Sequence, residues 1–223
     1  YAKHNYEVNF VGHPLIDAIA DRQQVDVTTF RKENNLFNKK IIALLPGSRK
    51  QEIINMLSVM LSVVDDFKDY QFVIACSPSQ DFSFYQQFIK TDNVQFINNK
   101  TYDLLSVSFA ALVTSGTATL ETALFKVPQV VCYKGSAITY AIAKRIITLK
   151  FISLVNLIMD REVVTELIQS DFNTKTLTKE LTKILDESHR EKVFLEYYEL
   201  EKILGGKGAS AESARLIIEG ITE

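Results

Sequence analysis

Apolar and polar residues alternate in blocks along this chain rather than singly. Apolar runs at residues 41–45 (IIALL), 71–76 (QFVIAC), 94–97, 110–114 and 129–133 have the length of strands. They lack the one-in-two alternation of a half-solvated sheet, so they predict strands covered on both faces, as in a parallel sheet. Between them lie stretches of helical period: residues 51–67, where Ile53, Ile54, Leu57, Met60, Leu61 and Val64 share a face, then 82–90, 102–108 and 118–126. Strand and helix in succession predict an α/β fold, a Rossmann-like doubly wound parallel sheet. Beyond about residue 160 the pattern is helical, at 162–169, 176–187, 189–204 and 209–219, with Gly205-Gly206 as a stop. The first forty residues differ: a short strand-like VNFVG, a VGHP turn fixed by His13, and a charged helix. The expected organisation is a lead-in over 1–40, a Rossmann-like domain over 41–160 and a helical C-terminal tail over 161–223.

Composition narrows the function classes. The chain has 223 residues, 47% of them hydrophobic, enough for one large core or two small ones. A net charge of −2 and the lack of a long basic run argue against nucleic acid as a partner. Cys76 and Cys132 sit inside strand-like runs, which predicts buried free thiols and a reducing, cytoplasmic setting. No apolar stretch reaches membrane-spanning length, and no signal peptide is visible. The first residue is Tyr1, so a fragment or a processed product is expected. Neither GxxxxGK[ST] nor a strand-following GxGxxG occurs, and GGKGAS from residue 205 reads as a helix terminator. No His or carboxylate cluster has metal-ligand spacing, so neither metal nor other cofactor is expected.

Two loops carry candidate chemistry. The run IIALL stops at Pro46-Gly47-Ser48-Arg49 and a helix follows. One reading is a plain strand-to-helix turn in which Ser48 caps the helix. The other is an anion seat, with helix-start N–H groups and Arg49 available for a phosphate. The second loop, Ser115-Gly116-Thr117-Ala118, follows the strand at 110–114, with Glu121 one turn into the next helix. It is either an unliganded cap with a dipole-favoured carboxylate, or a second anion seat with Glu121 accepting from a vicinal diol such as a ribose. In open α/β sheets ligands bind outside the carboxyl ends of the strands, so two such loops favour a phosphate-containing ligand.

The blocks VGHPLID at 11–17, LLPGSR at 44–49, SGTATLE at 115–121, PQVVCY at 128–133, NLI at 156–158 and ELIQ at 166–169 together resemble the lipid-A-disaccharide synthase family, in its order and spacing over nearly the whole chain. The resemblance implies half of a B-type glycosyltransferase fold, the carboxy-terminal, donor-binding half of a hexosyltransferase. That enzyme joins UDP-2,3-diacylglucosamine to 2,3-diacylglucosamine 1-phosphate and releases UDP in lipid A biosynthesis. Val155 and Thr165 stand where the family's pattern has prolines.

By the same resemblance Gly47, Ser48, Arg49, Ser115, Gly116, Thr117, Ala118 and Glu121 bind the UDP-sugar, with Arg49 as the catalytic candidate that stabilises the departing diphosphate. Asn156, Glu166 and Gln169 are carried over to the donor sugar or diphosphate, with a purely structural role at a helix start as the alternative for Glu166. The general base is expected in the missing amino-terminal half, so this chain alone is expected to be inactive. The acceptor is a lipid, which implies peripheral association with the inner face of the inner membrane of an outer-membrane-bearing bacterium. Residues 137–151 (AITYAIAKRIITLKF) would suit an interfacial helix, or equally a core helix with solvated charges. Exposed apolar positions on the last helix would allow a homodimer by helix exchange. Two alternatives stay open: a UDP-N-acetylglucosamine 2-epimerase, disfavoured by the single Glu121, and a non-catalytic UDP-sugar-binding module.

Overall fold

The computed structural model describes residues 7–135 and 150–222. Six strands form one parallel sheet: β1 (Lys40–Leu45), β2 (Tyr70–Cys76), β3 (Val94–Asn98), β4 (Ala110–Thr114), β5 (Gln129–Tyr133) and β6 (Glu166–Ile168). Their spatial order is β3-β2-β1-β4-β5-β6. The five apolar runs all become strands, within a residue at their ends. Side chains alternate between the two faces as the pleat requires. Ile42, Leu44, Phe72 and Ile74 face one core, and Ile41, Ala43, Leu45 and Val73 face the other.

Helices cover both faces. They are α1 (Pro14–Ala20), α2 (Val27–Glu33), α3 (Lys50–Met60), α4 (Phe82–Gln86), α5 (Thr101–Val107), α6 (Thr117–Leu124), α7 (Leu154–Met159), α8 (Thr174–Leu185), α9 (Glu187–Leu204) and α10 (Ala209–Thr222). The helical stretch expected over 51–67 is α3 followed by a tighter 3₁₀ segment, Leu61–Asp66.

Two expectations need correction. Residues 162–169 are not a helix: Glu166–Ile168 is the edge strand β6, paired through Val131↔Glu166, Cys132↔Leu167 and Tyr133↔Ile168. The preceding Val163-Val164-Thr165 is a β-branched run that favours extended backbone, a signal outweighed in the sequence by apparent helical spacing. The sheet therefore continues past residue 160, and the helical tail starts at Thr174. Nor does VNFVG form a strand; residues 8–12 are irregular.

The lead-in and the tail hold each other. His13 caps α1, its Nδ1 accepting from the Leu15 N–H at 3.2 Å, with Pro14 at the first helical position. The His13 N–H donates to the Leu204 carbonyl at 2.8 Å. Gly12 and Gly205, with φ of +92° and +88°, meet back to back, so that a Cβ on Gly205 would lie 3.1 Å from the Gly12 Cα. Asp17 then caps α10, accepting from the Gly208 and Ser210 N–H groups at 2.7 and 2.8 Å. VGHPLID and GGKGAS are thus one structural joint.

Both cysteines are free and buried, and burial pushes the Cys76 thiol up to about 12. Among the described residues no helix is long and apolar enough to cross a membrane. The stretch proposed for a membrane surface, residues 137–151, lies outside the described residues except for Lys150 and Phe151.

Candidate functional site

The strand order reverses direction between β1 and β4, the two central strands. Successive connections leave that point to opposite sides, and a crevice opens at the carboxyl edge. The loops that flank it are Pro46–Arg49 after β1 and Ser115–Gly116 after β4. Register brings them together: Leu45 pairs with Val113 as the last ladder position. About 70 residues of sequence separate loops that share one rim.

A cleft of about 420 Å³ lies there. It is lined by Gly47, Ser48 and Arg49 from the first loop, and by Ser115, Gly116, Thr117, Ala118 and Glu121 from the second. Eight of the eleven residues singled out from the sequence therefore surround one space. Thr101 and the β2 end, Ala75 to Pro78, complete the wall.

Three helices begin at the cleft, α3, α5 and α6, and none has a side-chain cap; the two loops singled out from the sequence lead into α3 and α6. The N-cap of α3 is Arg49, not Ser48, and no side chain bonds to its first-turn N–H groups. This corrects the plain-turn reading, in which Ser48 was the cap. The N-cap of α6 is Gly116, at φ +151°, again with no side-chain hydrogen bond. Among the other helices α1, α2, α7, α8 and α9 are capped by His13, Asp26, Ser153, Asn173 and Asp186, while α4, like α5, has no side-chain cap. Helix-start donors left uncapped beside a crevice, with the positive ends of two dipoles, suit an anion.

Glycine is needed at both loops. Gly47 sits at φ +102°, where a Cβ would approach Glu52 Oε2 to 3.2 Å and Thr114 Cγ2 to 3.4 Å. A Cβ on Gly116 would meet nothing, so the space in front of it is open to a ligand. The Arg49 side chain is 83% exposed, and its Nη1 donates to Glu52 Oε1 at 3.0 Å. A surface pair of this kind is weak, and the guanidinium is readily recruited by an incoming anion. Glu52 was not singled out from the sequence. An acid three residues after the helix start was its legible signal.

Three polar groups at the rim are already engaged. Ser115 Oγ donates to the Ile152 carbonyl at 2.8 Å, and Ser79 Oγ donates to the Ser48 carbonyl at 2.8 Å. Glu121 Oε1 accepts from the Tyr102 hydroxyl at 2.8 Å.

Asn156, Glu166 and Gln169 do not line this cleft. Asn156 is fully buried. Its Oδ1 accepts from the Val163 and Val164 N–H groups at 2.8 and 3.0 Å, and its Nδ2 donates to the Val164 carbonyl at 2.8 Å and to Glu166 Oε1 at 2.9 Å. Glu166 also accepts from the Ile152 N–H, the Ser153 N–H and the Ser153 hydroxyl at 2.9, 2.9 and 2.7 Å. Gln169, at φ +53°, turns its amide to the Gly135 backbone, with both contacts at 3.3 Å. Asn156 and Glu166 tie segment 150–156 to β6, Gln169 ties the end of β6 to the residues after β5, and Ser115 joins the first network to the α6 loop. Among the described residues no group of His, Cys, Asp or Glu is placed to hold a metal ion.

The family model for lipid-A-disaccharide synthetase matches residues 1–217. The lipid-A-disaccharide synthase of Syntrophus aciditrophicus is 36% identical over 222 residues, covering 96% of this chain and 58% of the relative. That of Persephonella marina is 31% identical over 231 residues, covering 98% and 60%. The chain thus spans about three-fifths of the length of these curated relatives. Among solved structures, S. aureus MnaA with UDP superposes at a TM-score of 0.64 with 15% identity, over 95% of this chain and 54% of that one, a likeness of fold.

Proposed function

The chain belongs to the lipid-A-disaccharide synthetase family, and on that footing we propose that it is the donor-binding part of a hexosyltransferase. The whole enzyme would join UDP-2,3-diacylglucosamine to 2,3-diacylglucosamine 1-phosphate and release UDP. The observation that carries this reading is the single cleft that gathers the uncapped starts of α3 and α6, Arg49 and Glu121.

In this reading the diphosphate lies across the two loops. Main-chain N–H groups at residues 47–49 and 116–118 donate to its oxygens, and Arg49 leaves Glu52 to bind it. Transfer with inversion requires the acceptor hydroxyl to lose a proton on one face of the sugar while UDP departs from the other. Charge grows on the diphosphate as the glycosidic bond breaks, and preorganised donors stabilise it. Removing Arg49 would cost about 2–4 kcal/mol of barrier in the complete enzyme, by analogy with other charge-stabilising donors. Glu121 receives the ribose diol. Asn156 and Glu166 act from behind, holding the segment to which the glycine loop is bonded, and Gln169 steadies the backbone at Gly135. The general base would come from the part of the relatives that this chain does not span, so the chain alone would bind the donor without turning it over.

Acylated substrates require the complete enzyme to meet the inner face of the inner membrane peripherally. Ile217, Ile218 and Ile221 on α10 are 61%, 62% and 77% exposed, an apolar stripe suited to exchange between two copies. Light scattering would read a dimer if that exchange occurs, and a monomer at high concentration would refute it.

Calorimetric titration of UDP in EDTA tests the seat. Wild type should bind, Arg49→Ala should lose most of that binding with an unchanged melting temperature, and Ser48→Ala should keep its stability because Ser48 caps nothing. Equal binding by wild type and Arg49→Ala would refute the seat. An epimerase would instead convert UDP-N-acetylglucosamine at its 2-position, which the same sample can be assayed for.

A further inference from the structure

Glu121 is the one carboxylate of α6 that lines the cleft. A glutamate on a helix surface ordinarily samples many rotamers. This one does not have that freedom, because Tyr102 holds it. The Tyr102 hydroxyl donates to Oε1 at 2.8 Å, and among the described residues no other donor reaches the carboxylate. Oε2 is left to accept from a ligand.

Tyr102 is itself held by two neighbours that also touch each other. Its ring lies 5.3 Å from that of Phe125 at a tilt of 55°. The Arg22 guanidinium lies 5.1 Å from the Tyr102 centroid and 5.9 Å from that of Phe125. Arg22 is in turn ion-paired to Asp103, the residue after Tyr102. Three elements that are distant in sequence, the segment after α1, the start of α5 and the end of α6, converge on one phenol. Such a clamp is more than packing requires, since a phenylalanine would fill the same space.

We infer that Tyr102 is a positioning residue that sets the Glu121 carboxylate for a vicinal diol, and so makes the cleft discriminate a ribonucleotide from a 2′-deoxyribonucleotide. The inference rests on the donor-binding reading above. Burial and the neighbouring Glu121 raise the Tyr102 hydroxyl to about 12, which keeps it protonated and donating at any physiological pH.

The test is calorimetric titration of UDP and dUDP against wild type, Tyr102→Phe and Glu121→Gln, with melting temperatures as a control on folding. Tyr102→Phe keeps the ring stack and removes only the hydrogen bond. It should weaken UDP about five- to tenfold, the worth of one hydrogen bond in this setting, and move dUDP by less than about twofold. The UDP/dUDP ratio should fall toward that of Glu121→Gln. If Glu121→Gln abolishes the ratio while Tyr102→Phe leaves it intact, the positioning role is wrong and the donor reading stands. If wild type binds neither nucleotide, or both equally, the donor reading of Glu121 falls and the inference falls with it. A role for Tyr102 in stability alone would lower the melting temperature without changing the ratio, and would also overturn it.

Discussion

Asn156→Ala separates a residue that touches ligand from one that holds the scaffold. The wild-type side chain makes four hydrogen bonds, and only one amide orientation satisfies them, since Oδ1 meets two N–H donors and Nδ2 meets two acceptors. Truncation strands the Val164 N–H and carbonyl, both in a residue that is 2% exposed. Val163 is only half-buried, and Glu166 Oε1 keeps its two bonds to Ser153, so these two groups cost less. Two buried groups at about 1–3 kcal/mol each predict a loss of about 3–4 kcal/mol once a small packing defect is included. A domain with about 5–15 kcal/mol of stability survives that, weakened. In urea, at about 2–3 kcal/mol per molar, the unfolding midpoint should drop by about 1–2 M. UDP affinity below the transition should change by less than about threefold, because Asn156 does not line the cleft. A midpoint within about 0.3 M of wild type, with UDP binding weakened about tenfold or more, would refute this assignment and return Asn156 to the ligand.

Two further outcomes follow from the same reasoning. Gly47→Ala, at φ +102° and crowded by Glu52 and Thr114, should cost about 1–2 kcal/mol in urea unfolding and weaken UDP in calorimetry. Asp17 is held below the ordinary aspartate value of 3.8, first by the Ser210 and then by the Gly208 N–H. A lowered folded-state value means that its contribution is complete above pH 3.8 and is lost as pH falls through the folded value. Asp17→Asn should therefore lower stability at neutral pH and flatten the acid limb of the stability curve, measured by thermal melts from pH 7 to 2.

The sheet was legible because strands buried on both faces leave unbroken apolar runs, and all five runs became strands. The two site loops were legible for a related reason. Pro46-Gly47 and Gly116 mark where the backbone leaves the ladder, and the doubly wound order brings those exits together. β6 was not legible: three residues at a sheet edge, one of them buried, carry too little period to compete with apparent helical spacing. Asn156 and Glu166 were found by resemblance, yet their partners, Val163, Val164 and Ser153, lie in main chain that no motif marks. Glu52, three residues from Arg49, had a local signal that went unused, whereas Tyr102 was missed because its role depends on a carboxylate that only the fold brings alongside. The joint between VGHPLID and GGKGAS is of that kind too, a contact across nearly the full chain between two glycine-containing turns.

The central claim is that loops 46–49 and 115–118 form one diphosphate seat. Two-dimensional amide spectra of the isotope-labelled chain, titrated with UDP in EDTA, test it most directly. The account predicts that the amides of Gly47, Ser48, Arg49, Gly116, Thr117 and Ala118 shift together along one binding curve, while those of Asn156 and Val164 hardly move. Shifts confined to one loop, or two loops saturating at different UDP concentrations, would contradict it.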